Sequence, residues 1–253
     1  MRWTLQPKPI PAQVEALSKQ LGVSEAIAAL LLQRDIDSFD KAKHFFRPSL
    51  DDLHDPYLMK DMHAAVDRIQ QAIARDERIL VYGDYDVDGT TSVALMSAYL
   101  KSLHPNVATY IPDRYVEGYG VSYAGIDYAH DNDMTLIIAL DCGVKAIDKV
   151  AYANTKGIDF IICDHHRPGL QLPDAIAVLD PKREDCNYPF DEVCGCGVGF
   201  KLITALSRKR NQPFDSLIPY LDLVATAIGA DIVPVLGENR ILAYHGLKVI
   251  QTM

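Results

Sequence analysis

Apolar residues recur at three- and four-residue spacing over Ala12 to Leu21, Ser24 to Gln33 and Asp61 to Ala74, which predicts a helical lead-in over residues 1–77. Ser24 followed by Glu25 reads as a helix start. The proline- and aspartate-bearing link from Arg47 to Pro56 breaks the period and reads as a surface connection. From residue 78 the pattern changes. Short continuous apolar runs at Ile79 to Tyr82, Val107 to Ile111, Thr135 to Leu140, Asp159 to Cys163 and Ala175 to Leu179 alternate with helical stretches. Strands lacking polar alternation are buried on both faces, and alternating strands and helices predict an α/β fold. Residues 78–253 are therefore expected to form a mostly parallel open sheet flanked by helices. Gly195 to Gly199 precedes an apolar helix reaching about Leu206, Leu221 to Ala230 is small and apolar, and Asn239 to Gln251 reads as a closing helix. Repeats and low-complexity segments are absent.

Acids gather where the predicted strands end. The first strand runs into Asp84-Tyr85-Asp86-Val87-Asp88-Gly89. In an extended backbone alternate side chains share a face, so Asp84, Asp86 and Asp88 are expected to converge, with Thr90-Thr91-Ser92 capping the helix after them. Converged carboxylates repel unless a cation sits between them; hard divalent ions held by oxygen meet that need. Three other readings of this turn stay open. It imitates an EF-hand loop, but Leu95 stands where a bidentate Glu is required and a strand precedes it. Asp86-x-Asp88-Gly89-Thr90 also fits the nucleophile loop of haloacid-dehalogenase-type phosphatases, and a solvated acidic turn is the plain alternative. The third strand runs into Asp141-Cys142-Gly143 and the fourth into Asp164-His165-His166. Open α/β sheets bind ligands beyond the carboxyl ends of their strands, so three strands deliver acids or imidazoles to one edge. Asp231, after the apolar Leu221 to Ala230 stretch, is a further candidate ligand.

The loop Pro112 to Gly120 joins a cation, two tyrosines and two glycines, suited either to gripping a phosphate and stacking a base or simply to local packing. Gly195 to Gly199 can bind an anion through backbone N–H groups or serve tight packing alone. His44, His54 and His63 read as surface or helix-face residues.

Composition narrows the class. The chain has 253 residues, 49% hydrophobic, enough for a sizeable core. No run approaches a membrane span, and Met1 to Pro7 has no signal-peptide core. Five cysteines without scaffold spacing suggest a reducing, cytoplasmic setting. A net charge of −9 argues against a protein that coats DNA, though not against a nuclease whose metal ions and local cations hold phosphates.

With these residues assembled, the chain resembles the Asp-His-His phosphoesterase superfamily, and within it the RecJ-type single-strand-specific exonucleases. The resemblance rests on Tyr82 to Gly89, Asp141-Cys142-Gly143, Asp164-His165-His166 and Ala230 to Pro234, with Asp55 to Met62, Arg114 to Gly120 and Gly197 to Leu202 matching the RecJ branch. It implies a two-metal phosphodiesterase, a 5′-to-3′ exonuclease on single-stranded DNA in repair and recombination. It further implies two Mn²⁺ or Mg²⁺ ions on Asp84, Asp86, Asp88, Asp141, His165 and Asp231, with Asp141 as the bridge. Asp164 would orient an imidazole, His166 would meet the scissile phosphate, Arg114 would neutralise a substrate phosphate and Tyr119 would stack a base. Two departures stand out: Tyr82 occupies a position that is histidine in many superfamily members, and RecJ-type enzymes are longer, with a second, substrate-binding domain. A hydrolase of pyrophosphate, cyclic dinucleotides or short oligonucleotides, and a non-catalytic fragment, are the competing expectations. The phosphatase reading gives the Asp-His-His triplet no role.

Overall fold

The computed structural model describes residues 4–252; Met1, Arg2 and Trp3, within the segment predicted to lack a signal-peptide core, lie outside them. The chain divides into two compact units, Met1–Asp52 and Leu53–Met253.

The first unit is helical. Its helices are α1 (Pro11–Leu21), α2 (Glu25–Leu32) and α3 (Phe39–Phe46). The Ser24 hydroxyl accepts from the Ile27 N–H at 3.4 Å, so the predicted start of α2 is a true cap. Helix α3 escaped the hydrophobic pattern because it buries only Ala42, against Leu17, Ala28, Leu31 and Ile36.

The second unit begins with α4 (Met62–Ala74). It continues with β1 (Arg78–Gly83), α5 (Val87–Leu103), β2 (Val107–Tyr110), α6 (Tyr123–Asp131), β3 (Met134–Leu140), α7 (Ile147–Thr155), β4 (Asp159–Cys163) and β5 (Ala177–Leu179). Helices α8 (Gly195–Lys209), α9 (Leu221–Asp231) and α10 (Gly237–Thr252) close it. The stretch 53–77, read from the pattern as lead-in, lies in this unit.

The five strands pair in the order β2-β1-β3-β4-β5, every pairing parallel. The apolar runs of β1, β3, β4 and β5 are buried on both faces, whereas edge strand β2 buries only Val107, and Thr109 and Ile111 are exposed. Leu80, Tyr82, Ile137, Ala139, Phe160 and Ile162 pack with Ile126 and Ala129 of α6 and Val150 and Ala153 of α7. Helices α4, α5 and α8 contact the sheet as well, and α9 packs on α5 with α10 beyond it. From β1 the chain turns outward to β2, then crosses back to β3, so the switch in strand order falls between β1 and β3, where such sheets leave a crevice. Asp84 follows β1 and Asp141 follows β3.

One buried ion pair ties the outer helices together. Lys201 of α8 and Glu238 of α10, both 1% exposed, bond to each other. Glu238 also accepts from the His54 N–H (2.8 Å) and the Tyr188 hydroxyl (2.6 Å), and the Lys201 ammonium donates to the His54 carbonyl (3.1 Å). Among the described residues no helix is long and apolar enough to cross a membrane.

Candidate metal centre

The acidic turn after β1 is not extended beyond Asp86. Asp86 caps α5, its carboxylate accepting from the Gly89 N–H at 2.9 Å, and the helix starts at Val87. The expected cap at Thr90 to Ser92 is therefore corrected: Thr90 and Thr91 lie inside the helix, donating to the Asp86 and Val87 carbonyls at 2.7 Å each. Asp86 itself stays extended, as a cap residue does, and its side-chain bond to the Gly89 N–H starts the helix that takes Asp88 out of the alternation. The strand–turn–helix geometry instead sets the Asp84 backbone against the first turn of α5. Gly89 permits it, since a Cβ there would stand 2.4 Å from the Asp84 carbonyl oxygen.

Asp88, in the first turn of α5, accepts from the Gly195 and Cys196 N–H groups, both at 2.7 Å. The glycine-rich start of α8 thus does bind an anion, and the anion is this carboxylate. It also packs tightly, because a Cβ on Gly195 would lie 2.5 Å from Asp141 Oδ1. Burial pushes Asp88 above the usual carboxylate range despite those two amides.

Asp141 ends β3 in a left-handed conformation (φ 59°), its N–H still donating to the Cys163 carbonyl of β4 at 2.8 Å. Its Oδ1 is buried without a hydrogen-bond partner, as is Asp84 Oδ2. Burial, then the charges of Asp88, Asp86 and Asp164, raise Asp141 far above an ordinary aspartate; burial likewise raises Asp84. His165 follows β4 and is 6% exposed. Its Nε2 lies 3.2 Å from Asp141, 3.6 Å from Asp231 and 3.8 Å from Asp88, and neither ring nitrogen has a hydrogen-bond partner. Asp231 reaches this point as the last residue of α9, where Ile232 turns the chain with φ 59°. Two donor sets share His165: Asp141, His165 and His166, and Asp88, His165 and Asp231, each with ligand atoms within 4.8 Å of one another. Buried carboxylate oxygens and an imidazole without protein partners are the donor set a divalent cation requires.

Asp164 differs. One oxygen accepts from the His165 N–H (2.8 Å), the His166 N–H (3.1 Å) and His166 Nδ1 (2.7 Å), the other from the Val144 N–H (2.9 Å). Burial opposes its charge, but His166 and these amides outweigh burial and hold it below the usual range. His166 in turn is pushed up to about 9 by that hydrogen bond. The imidazole Asp164 orients is thus His166.

The loop after β2 is built around Glu117, which accepts from the Asp113 N–H (2.8 Å) and the Tyr110 hydroxyl (2.9 Å). Buried Tyr82 donates to the Gly120 carbonyl at 2.9 Å and anchors the loop's end. Arg114 lies 4.7 Å over the Tyr85 ring. Tyr119 is edge-on to Tyr85 (5.6 Å) and to His166 (6.3 Å), and its phenol is raised by burial and by the Asp141 and Asp84 charges. The structure therefore brings the loop beside the acidic rim. The pattern gave no role to Tyr82, Glu117 or Asp180. Asp180 follows β5 opposite Asp164, fully buried, with Oδ2 unpartnered, and burial pushes it up to about 7. An acid at a strand end was its signal.

Residues 78–228 match the DHH family, N-terminal domain. The chain belongs to the DHH family. Among curated DHH-type relatives it is 42% identical to the single-stranded-DNA-specific exonuclease RecJ of Bacillus subtilis, over 98% of this chain and 31% of that protein. It is 37% identical to the enzyme of the same name from Escherichia coli, over 76% and 35%. A crystal structure of RecJ in complex with Mn²⁺ from Thermus thermophilus superimposes with a TM-score of 0.80 at 27% identity, covering 98% of this chain and 34% of that one. This DHH-family chain thus spans about a third of the length of the curated relatives it matches.

Proposed function

We propose that this DHH-family chain carries the hydrolytic centre of a metal-dependent phosphodiesterase, a 5′-to-3′ exonuclease on single-stranded DNA acting in repair and recombination. The observation that carries the reading is the set of buried donors without hydrogen-bond partners, Asp84 Oδ2, Asp141 Oδ1 and His165 Nε2, the last two 3.2 Å apart. Identity of 42% to a RecJ exonuclease supports the choice of substrate.

Asp84, Asp86, Asp88, Asp141, His165 and Asp231 would hold two divalent cations; of these Asp88, Asp141, His165 and Asp231 are brought together with His166 in the two donor sets. Imidazole beside carboxylate favours Mn²⁺ over Mg²⁺. Bound there, the pair supplies Lewis acidity for attack by water at phosphorus. The chain's own side chains do the rest. Asp164 fixes His166 through Nδ1 and keeps the ring charged, leaving Nε2 to donate to a phosphoryl or leaving oxygen. Arg114 neutralises a substrate phosphate and Tyr119 offers a face to a base.

The test is incubation of the chain with Mn²⁺ and end-labelled single-stranded DNA, duplex DNA, short oligonucleotides, a cyclic dinucleotide and pyrophosphate. The expected result is mononucleotides released from the 5′ end of single strands. Hydrolysis confined to the small compounds would replace the reading with a small-phosphate hydrolase. Metal binding with no hydrolysis at all would leave a non-catalytic domain.

A further inference from the structure

The chain carries a net charge of −9, and its candidate centre is lined by carboxylates. A polyanionic strand needs a cationic wall to approach such a rim. Beside Tyr119 and His166 a cavity of about 290 Å³ opens, with Gly143 in its lining and Lys145 and Lys149 along one side. That volume sits near the lower end for small-ligand sites, room for a nucleotide-sized group. Lys145 is exposed and Lys149 half-buried. Among the described residues neither ammonium has a carboxylate within 4.0 Å; Lys149 rests 5.5 Å over the Tyr123 ring.

This placement is unfavourable by itself. Lys145 immediately precedes the uncapped start of α7 and Lys149 lies in its first turn. Cations there oppose the helix dipole, a penalty that Asp148 in the same turn offsets only in part. An anion entering the cavity removes it. We propose that the cavity is a subsite for a backbone phosphate neighbouring the one hydrolysed, with Lys145 and Lys149 as its counter-charges. The subsite rests on the exonuclease reading and assigns to it residues outside the metal-ligand set. His166 and Tyr119, shared between cavity and rim, put the two phosphate positions side by side.

The test compares the wild-type chain with Lys145→Gln/Lys149→Gln and Lys145→Arg/Lys149→Arg. Binding of a phosphorothioate ten-nucleotide single strand is followed by fluorescence anisotropy over a range of NaCl, beside Mn²⁺-dependent digestion of normal DNA. The Gln pair is expected to weaken binding about tenfold at low salt. It should also flatten log Kd against log salt by about 0.7, one phosphate's share for a single strand. KM should rise much more than kcat falls, and the Arg pair should restore both. A Gln pair with wild-type affinity and slope, while the wild type still digests DNA, overturns the subsite and leaves the exonuclease reading intact. A wild type that neither binds nor digests single strands overturns both. Should the Gln pair fail to fold, exposed Lys145→Gln alone decides, with about a threefold loss expected and no loss overturning the subsite.

Discussion

The two ends of the sheet treat charge in opposite ways. At the amino ends, Arg68 of α4 sits between Glu77, one residue before β1, and Asp159, the first residue of β4, at 2.6 Å from each. Thr135 of β3 donates to the same Glu77 oxygen at 2.6 Å. At the carboxyl ends, Asp84, Asp88 and Asp141 are all buried, and none has a Lys or Arg within 4.0 Å among the described residues. One rim lowers the pKa of its glutamate and the other raises those of its aspartates. The fold can supply a guanidinium where it needs one. The uncompensated rim is therefore a place for a cation from outside, because buried like charges otherwise cost several kcal/mol.

Asp141→Asn tests the carboxyl rim most severely. Asparagine tolerates the left-handed backbone at this position better than alanine, so the change removes charge without adding strain. Mn²⁺-dependent hydrolysis should fall by about 10³-fold or more, several kcal/mol of transition-state stabilisation. Without metal the variant should melt no lower than wild type, because burial and the neighbouring carboxylates already disfavour the Asp141 charge and the amide does without it. Added Mn²⁺ should raise the wild-type melting temperature by mass action and the variant's much less. Wild-type-like turnover would remove Asp141 from the centre.

Arg68→Met tests the other rim. Both carboxylates lose their counter-charge, and unfolding free energy should drop by about 3–5 kcal/mol, read by urea titration. Activity per folded molecule should stay near that of wild type. Equal damage to activity would mean that the two rims are coupled.

One half of this contrast, the carboxyl rim, was legible in the sequence; the Arg68 rim was not. Continuous apolar runs placed β3 and β4 to within a residue, since strands buried on both faces need no polar alternation, and the strand-end rule put Asp141, Asp164 and His165 on one edge. The same rule applied to β5 would have singled out Asp180. What stayed hidden is non-local. Asp88 meets Gly195 and Cys196 across more than a hundred residues, so the glycines alone left anion binding and packing equally open. Asp86 broke the extended reading because its own cap bond is local but invisible to a period-two pattern. Tyr82 holds Gly120 only because β1 and the loop after β2 meet in space.

Tyr119→Ala and Tyr119→Phe sharpen the comparison at the rim's edge. A lost stacking face costs about 1–3 kcal/mol per base, so the alanine variant should bind single strands about fivefold or more weakly, by anisotropy. The phenylalanine variant keeps the face and loses the hydroxyl beside Asp84. It should bind DNA nearly as wild type does; a large change in its Mn²⁺ affinity would instead make the hydroxyl a support of the acidic rim.

The smallest expected effect is the pH response of the compensated rim. Burial raises the Glu77 carboxyl, but the Thr135 hydroxyl, Arg68 and the more distant Arg75 outweigh it, and the folded value lies below the ordinary one. A carboxyl depressed on folding adds stability above its unfolded pKa, about 4.3, and loses it as pH falls through the folded value. Glu77→Gln should therefore cost about 1.5–3 kcal/mol at neutral pH, the range for a hydrogen bond to a charged group. The difference between the two proteins should stay flat down to about pH 5 and then shrink toward zero in acid. The raised aspartates of the opposite rim titrate in both proteins alike and cancel in the subtraction. Urea unfolding at a series of pH values, with divalent metal chelated, reads the difference directly. A cost that holds constant into acid would assign it to packing around Glu77 rather than to charge, and the contrast between the rims would then rest on the carboxyl end alone.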